Sequence, residues 1–393
     1  MAFFTQVANL TWLGLRGLPQ RVGSALVIVI GIAGVVAVLV SLLAMRDGFT
    51  RTLAATGRLD EAIVLRGGSN TELNSRLTRE DRNAIATAPG LLQGADGKPL
   101  VSGEVVVVLN LPKIESGTDA NVQLRGVGPS AFELRPNVRI TAGRAFEGGK
   151  RELLVGEGAA GQFAGLTLGN TLKLGNEPWK VVGFFAAGDA HDSELWADAE
   201  VVQGAYRRDA YQSITVRLTD ARAFDAFRQA LLSDPRLKVD VQTTRDYYAA
   251  QSQRLRTLIG VLAGLIASIM AIGAAFAALN TMYAAVALRS REIAVLRALG
   301  FGGLVIVCAV LLEALALALL GGVLGGAIAW LLFDNYAVST LGQNFSQVVF
   351  AFDVSLPLVL SALRLALLIG FIGGLLPALQ AARTPLTSSL RGS

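Results

Sequence analysis

The chain has 393 residues, of which 52% are hydrophobic and only 17% charged, and its mean hydropathy is +0.51. Soluble globular proteins carry about 25% charged residues, so this composition excludes a soluble enzyme or a disordered chain and indicates a membrane protein. One cysteine, Cys308, and one histidine, His191, exclude a disulfide scaffold, a cysteine-based zinc site and a histidine-rich metal site.

Residues 23–44 form the first long block without a charge. About 20 apolar residues suffice for a helix to cross the hydrocarbon core. A secretory signal is the alternative, because Arg16 and Arg21 precede the block. Its apolar region would be only about 7–15 residues long, so the block predicts a retained membrane anchor.

The segment 45–257 predicts a mixed α/β domain in two subdomains. One subdomain combines both ends of the segment, where strand, helix and strand patterns follow one another twice. The other, roughly 112–205, is richer in strand and turn signals and includes a hairpin turning at Gly175. Asp189 and Asp192, with His191 between them, are predicted to be solvated surface residues.

From Thr244 the pattern is helical, without Pro or Gly before Gly260, and leads into the apolar block 258–282. This pattern predicts one stiff rod from the α/β domain into the membrane, which would permit mechanical coupling. An ordinary helix leading into a span explains the same pattern equally well.

Two further apolar blocks, 304–332 and 358–376, each contain a single charge, Glu313 and Arg364. A charge inside a span is costly unless it is paired or faces water. The two residues fall at similar predicted depths, so we expect them to pair. The alternatives are that Arg364 extends outward to the interface, or that the charges serve substrate passage.

Glycines in these spans recur with the small-xxx-small spacing that lets helix backbones approach closely. The predicted packing positions are Gly321, Gly322, Gly325, Gly326, Gly370 and Gly374, together with Gly260 and Gly264. We expect them to pack helices within a bundle or a dimer.

Orientation follows from the arginines, which cluster in the segments before the first span, between spans two and three, and after span four. The positive-inside rule places these segments in the cytoplasm and the nearly neutral 45–257 outside. The formal charge of +5 is therefore mainly a topology signal, and no nucleic-acid partner is expected. The predicted divisions are 1–22 (amphipathic helix), 23–44 (span one), 45–257 (extracytoplasmic domain), 258–282 (span two), 283–303 (cytoplasmic loop), 304–332 (span three), 333–357 (extracytoplasmic loop), 358–376 (span four) and 377–393 (cytoplasmic tail).

The cytoplasmic loop predicts a short amphipathic helix that ends at Gly300. Ile293, Leu296 and Leu299 can share one side of it. No phosphate-binding loop, nucleophile elbow or Ser/His/Asp arrangement is found in the sequence. An enzyme activity of this chain is therefore not expected.

The loop resembles the pattern R-x-x-E-I-x-x-L-R-A-L-G of permease subunits of MacB/FtsX/LolC-type ABC transporters. Here it runs from Arg289 to Gly300 and is followed by Glu313-Ala314 in span three. The tail, Pro377-Ala378-Leu379-Gln380-Ala381-Ala382-Arg383-Thr384-Pro385, is similar to that family's tail, with its last proline one residue early.

The resemblance implies that the loop helix is a coupling helix, docking on a separate ABC ATPase that binds ATP and Mg²⁺. It implies no cofactor in this chain, and a unit of two ATPases and two permease copies in a bacterial inner membrane. The implied contact residues are Arg289, Arg291, Glu292, Ile293, Leu296 and Arg297. A stretch with Phe4, Val7, Leu10, Trp12 and Leu15 on a lipid face resembles the family's interfacial elbow helix.

Three functions are then expected to compete. The first is export or extraction of a peptide, lipid or lipoprotein by mechanotransmission through the external domain, with a periplasmic adaptor and membrane lipid as further partners. The second is lipoprotein release of the LolC/LolE kind. The third is FtsX-like signalling to cell-wall hydrolases, for which so large an external domain is unusual.

Overall fold

A computed structural model describes residues 2–342 and 346–383 and divides the chain into two compact units. The helical unit comprises Met1–Asp47, Thr257–Tyr336 and Phe352–Ser393, and the α/β unit comprises Gly48–Arg256 and Ala337–Ala351. Of the predicted cytoplasmic tail 377–393, the part from Thr384 onward, with Pro385 and Arg391, lies outside the described residues.

The helices, in chain order, are α1 (Ala2–Arg16), α2 (Val22–Thr56), α3 (Arg79–Ile85), α4 (Ala131–Leu134), α5 (Glu157–Ala160), α6 (Ala199–Ala205), α7 (Ala223–Ser233), α8 (Thr244–Leu288), α9 (Ser290–Ala298), α10 (Gly303–Phe333) and α11 (Leu356–Arg383). The strands are β1 (Glu61–Arg66), β2 (Val101–Pro112), β3 (Asp119–Val127), β4 (Arg139–Gly143), β5 (Glu152–Gly156), β6 (Thr171–Leu174), β7 (Glu177–Ala186), β8 (Glu194–Asp198), β9 (Ser213–Arg217), β10 (Val239–Thr243), β11 (Ala337–Leu341) and β12 (Gln347–Ala351). Single 3-10 turns occur at Leu18–Arg21, Glu72–Asn74 and Ala190–Ser193.

Four described helices, α2, α8, α10 and α11, are long and apolar enough to cross a membrane. Each contains one of the four predicted spans, so a helix of sufficient length and apolarity is present at each predicted span. In a helix every interior backbone group is paired within the segment, which is the condition for crossing hydrocarbon. Both α2 and α8 continue beyond the predicted spans, and α8 is one helix from Thr244 to Leu288, as the pattern predicted.

The glycines of α10 lie where neighbouring helices approach most closely. A Cβ on Gly321 would lie 2.8 Å from the carbonyl oxygen of Val29 in α2, and one on Gly322 would lie 2.6 Å from Leu363 in α11. Gly325 continues the first contact, against Ala33, and Gly326 the second, against Val359. Two interleaved glycine rows thus pack α10 against two different helices.

Gly370 and Gly374 of α11 complete this packing from the other side, because they face Ala318 and Ala314 of α10. These six glycines therefore lie where helices of the helical unit approach closely. Gly264 has no heavy atom within 4 Å of an added Cβ, and the nearest to Gly260 is an arginine nitrogen at 4.0 Å. Among the described residues, these two glycines therefore do not mark a close helix approach.

The α/β unit is built on one ten-stranded sheet, in the order β10-β1-β9-β2-β3-β8-β5-β7-β4, with β6 paired to β7. β2 joins its two halves, because residues 101–104 pair with β9 and residues 105–112 pair with β3. The predicted pairing of the two ends of the segment is present, since β1 lies between β9 and β10. The two predicted subdomains are therefore continuous through β2 and share an apolar core.

Two features of this unit follow from local sequence. Thr78 caps α3 in a reciprocal capping box with Asp81, which satisfies backbone donors at the helix start. The predicted hairpin between β6 and β7 turns at Gly175, where φ is +62°, a conformation that glycine adopts without strain.

The loop predicted at 333–357 contains an antiparallel hairpin of β11 and β12 that belongs to the α/β unit. The backbone N–H of Val349 donates to Ser193 Oγ at 2.8 Å, and Lys113 Nζ donates to Ser339 Oγ at 3.3 Å. The Phe350 ring is 2% exposed and meets Phe49 edge-on at 5.4 Å between centroids. Two separate chain segments therefore build this unit.

Candidate functional site

Glu313 is the centre of a buried charge cluster in the helical unit. It lies in α10 and is 4% exposed. Its Oε1 accepts from Arg21 Nη2 at 3.5 Å, and its Oε2 accepts from Arg289 Nη1 at 3.1 Å. Because an unpaired carboxylate inside a span is strongly disfavoured, this pairing fixes Arg289, at the junction of α8 and α9, to α10.

The expected pairing of Glu313 with Arg364 is wrong. Arg364 is exposed on α11 and forms no ion pair or hydrogen bond within residues 2–342 and 346–383. The two arginines that do pair with Glu313 lie outside the predicted spans. They reach it because an arginine side chain can bury its aliphatic stem while its guanidinium extends several ångström along the protein.

Helix α1 also contacts this cluster. A Cβ on Gly14 would lie 2.6 Å from Glu313 Oε2, so only glycine fits here without a shift. The predicted lipid face of α1 is only partly exposed. Phe4 and Trp12 are 79% and 58% exposed, whereas Val7 is buried in the helical unit.

Helix α9 begins after a break at Arg289 and ends in a Schellman motif. Gly300 has φ +94°, its N–H donates to Arg297 O, and the N–H of Phe301 donates to Leu296 O. These two bonds satisfy carbonyls that a helix end otherwise leaves free. The predicted end of the loop helix at Gly300 is confirmed, and the helix is a fixed element with two distinct sides.

The buried side of α9 holds it in the helical unit. Ile293 is 7% exposed and belongs to the apolar core of that unit, and Ala294 is 2% exposed. Leu296 and Arg297 are half-buried. Ile293 and the inward-turned Arg289 are therefore anchors and not free contact residues, which corrects the set implied by the resemblance.

The other side of α9 is open. Arg291 and Glu292 are exposed, and so are two apolar residues that the contact set did not include, Val295 at 45% and Leu299 at 72%. Apolar side chains beside charges of both signs are typical of the rim and core of a protein interface. In the helical unit, α9 therefore presents a small mixed surface on a rigidly anchored helix.

The α/β unit contains a buried charge network that the sequence patterns did not indicate. All five guanidinium N–H donors of Arg125 are used on Glu72, Glu104 and Glu194, at 2.7 to 3.0 Å. Burial raises the pKa of Glu104, but Arg135 and Arg125 outweigh it and hold this pKa at about 2. No group of three or more His, Cys, Asp or Glu side chains among the described residues could hold a metal ion.

The predicted surface position of His191 and Asp189 is wrong. They are 2% and 4% exposed, and His191 Nδ1 lies 2.9 Å from Asp189 Oδ1. The imidazole is covered by Trp196 and Tyr248, whose ring centroids lie 5.5 and 6.2 Å away. Burial lowers the pKa of His191, but the charges of Asp189 and Glu194 outweigh it and hold this pKa above its ordinary 6.5.

We expect the α/β unit to lose stability as pH rises above about 6.5, the ordinary pKa of histidine. A raised pKa in the folded state means that protonated His191 stabilises the fold, and this contribution disappears as pH rises through the folded value. Burial raises the pKa of Glu61, so Glu61 acts in the same direction. Arg135, whose charge opposes protonation of His191, stays charged over this whole pH range. Each unit of pKa difference corresponds to about 1.4 kcal/mol.

The measurement is the unfolding temperature of the detergent-solubilised chain against pH, followed by the fluorescence of Trp196, with each other tryptophan replaced by phenylalanine. His191→Gln should flatten the profile above about pH 6.5. An unchanged slope in that variant would assign the pH dependence to other groups.

Comparisons with known proteins match both units. The protein-family model of the MacB-like periplasmic core domain matches residues 22–233. The family model of the FtsX-like permease C-terminal domain matches residues 258–386. The macrolide export ATP-binding/permease protein MacB of Shewanella oneidensis is 26% identical, over 82% of this chain and 54% of its own. An ABC transporter permease of Bacillus subtilis, YvrN, is 25% identical over 93% of both chains.

The pyoverdine export ATP-binding/permease protein PvdT of Pseudomonas entomophila is 25% identical over 91% of this chain and 55% of its own. The chain thus spans about half the length of MacB and PvdT. Among solved structures, the extracellular domain of the transporter YknZ from Gram-positive bacteria is 18% identical over 47% of this chain and all of its own, with a TM-score of 0.36. The periplasmic region of MacB from Actinobacillus actinomycetemcomitans is 16% identical over 49% of this chain and 92% of its own, with a TM-score of 0.37.

Proposed function

Because the chain belongs to the ABC transporter permeases of MacB/FtsX type, we propose that it couples ATP hydrolysis by a partner ATPase to motion of its α/β unit. The work done would be export or extraction of a peptide, lipid or lipoprotein. The match to YvrN, an ABC transporter permease, supports a partner ATPase, and the export roles for which MacB and PvdT are named support export over signalling.

The observation that carries the proposal is the two-sided helix α9. Its buried side fixes it to the helical unit through Ile293, and Arg289 adds a charged link to Glu313. Its open side offers Arg291, Glu292, Val295 and Leu299 to a partner. Force applied to an anchored helix moves the unit to which it is anchored, whereas a helix resting on lipid would not need a buried ion pair.

The second step of the proposal is transmission to the α/β unit. Helices α2 and α8 run without a break and each contributes residues to both units. The hairpin of β11 and β12 gives the α/β unit two more covalent connections, one to α10 and one to α11. Four such connections favour mechanical transmission over passage of cargo between the spans, where Glu313 is already engaged by arginines.

The working assembly that we propose has two permease copies and two ATPases, with ATP and Mg²⁺ held by the ATPases. A periplasmic adaptor and membrane lipid would be further partners. We place this assembly in a bacterial inner membrane, because the similar permeases come from bacteria. The positive-inside rule supports an orientation with both termini and α9 in the cytoplasm.

The test is a pull-down of the tagged chain from native membranes in mild detergent. We expect an ABC ATPase to co-purify, and Glu292→Arg combined with Leu299→Asp to reduce its recovery at least about tenfold, because a desolvated contact is lost and a charge is reversed. The matched control is Asp119→Arg with Ile114→Asp, which makes the same kinds of change at exposed positions of the α/β unit. Failure to recover an ATPase with the wild-type chain, or equal recovery with both variants, would contradict the proposal.

A further inference from the structure

An apolar groove runs between α8 and α11 in the helical unit. Its volume is about 290 Å³, and every lining residue is apolar: Ala271, Ile272, Ala275, Phe276, Leu279, Leu365, Leu368, Ile369 and Ile372. Both of its walls are helices that are long and apolar enough to cross a membrane. A lipid in the bilayer therefore reaches the groove directly from the side.

Arg364 lies beside one end of this groove. It is four residues before Leu368 and eight before Ile372, so the three residues share one stripe of α11. Helical side chains lean toward the N-terminus of their helix, so the guanidinium lies toward the start of α11, about 12 Å or less from it along the axis. An exposed arginine thus lies at the end of the apolar groove that is nearer to the hairpin of β11 and β12.

The charges within the spans determine which group can form an ion pair with Arg364. It has no ion-pair partner within the part of the chain that the structure describes. The other charge within the predicted spans, Glu313, is buried between Arg21 and Arg289. The spans of a second copy would therefore bring no free carboxylate to Arg364, whereas an anionic headgroup at the membrane interface would supply the missing charge.

We propose that this groove is a binding site for an anionic phospholipid of the surrounding membrane. Its phosphate accepts from the Arg364 guanidinium, and one acyl chain lies along Leu368 and Ile372 between α8 and α11. Because lipid tails are as apolar as the groove, transfer of the chain into it contributes little. The guanidinium provides the selectivity for an anionic lipid, and the groove fixes where the acyl chain lies.

The experiment is native mass spectrometry of the full chain in detergent, titrated with dioleoylphosphatidylglycerol or dioleoylphosphatidylcholine. We expect the anionic lipid to bind about fivefold more tightly, as one interfacial arginine provides. Arg364→Gln should abolish that preference, and Arg364→Lys should retain most of it. Ala271→Phe, which fills the groove and displaces the acyl chain, should reduce the preference for the anionic lipid. Val261→Phe, at an exposed position of α8 outside the groove, should leave that preference unchanged.

Equal binding of both lipids to the wild-type chain, or an undiminished preference in Arg364→Gln, would overturn the proposal. So would a disulfide between two copies through Leu368→Cys in membranes of a Cys308→Ser background, because a second copy would then occupy the groove. These outcomes do not depend on an ATPase partner, so they leave the proposed transport function separately testable.

Discussion

Replacing Arg125 with methionine is expected to lower the free energy of unfolding of the α/β unit by at least about 3–5 kcal/mol. The guanidinium is 2% exposed and pairs with Glu72, Glu104 and Glu194. Methionine fills much of the same volume but leaves three carboxylates in a dry interior with too few donors. Removing one partner of a buried charge network costs far more than removing an exposed pair.

The measurement is chemical unfolding of the full chain in detergent, followed by the fluorescence of Trp196, whose indole N–H donates to Glu194 at 2.8 Å. The matched control is Arg76→Met, because Arg76 pairs with Asp209 at the surface, where the side chains are 62% and 78% exposed. That control should change stability by no more than about 1 kcal/mol. Similar losses in both variants would mean that the buried network adds no special stability.

The second large effect is expected at Glu313. Glu313→Gln should destabilise the helical unit by about 3 kcal/mol or more, because Arg21 and Arg289 keep their charges in side chains only 15% and 19% exposed. If the proposed coupling is right, the partner ATPase should still bind the open side of α9, and its hydrolysis should lose its dependence on the permease.

The matched control is Glu292→Gln, because Glu292 is the other carboxylate that pairs with Arg289. Glu292 accepts from Arg289 Nε at 3.2 Å, but its side chain is 67% exposed, so Glu292→Gln should cost no more than about 1 kcal/mol. Thermal unfolding of both variants in detergent compares their stability, and the ATPase activity of the complex assembled with Glu313→Gln measures the coupling. Normal stability of Glu313→Gln would show that the buried cluster does not hold α9 in place.

Features set by local sequence could be predicted. The spans follow from apolar length, the end of α9 from Gly300, and the start of α3 from Thr78 and Asp81. Each of these depends on residues within a turn or two of chain, where the physical rule and the sequence pattern coincide. The strands near the end of the α/β segment were also predictable, because polar and apolar residues alternate at 213–217 and 237–241.

Features set by orientation or by distant partners could not be predicted from the sequence. Counting residues along a helix gives the depth of Glu313 and Arg364 but not the direction in which each one faces. His191 stands among acids in the sequence, and only Tyr248, from the start of α8, and Trp196, from β8, bury it. The hairpin of β11 and β12 lacked a signal because its strands gain their stability from residues far away in the chain.

That hairpin has a consequence for how the protein is made. The α/β unit needs Ala337–Ala351, which the ribosome adds only after α8, α9 and α10. Until then Ser193 lacks its hydrogen bond from Val349, and Phe49 lacks the ring of Phe350. Because contacts between distant segments form late and leave apolar surface exposed meanwhile, completion of this unit must wait for α10 to be inserted, and a chain truncated before β11 would remain a substrate for chaperones and proteases.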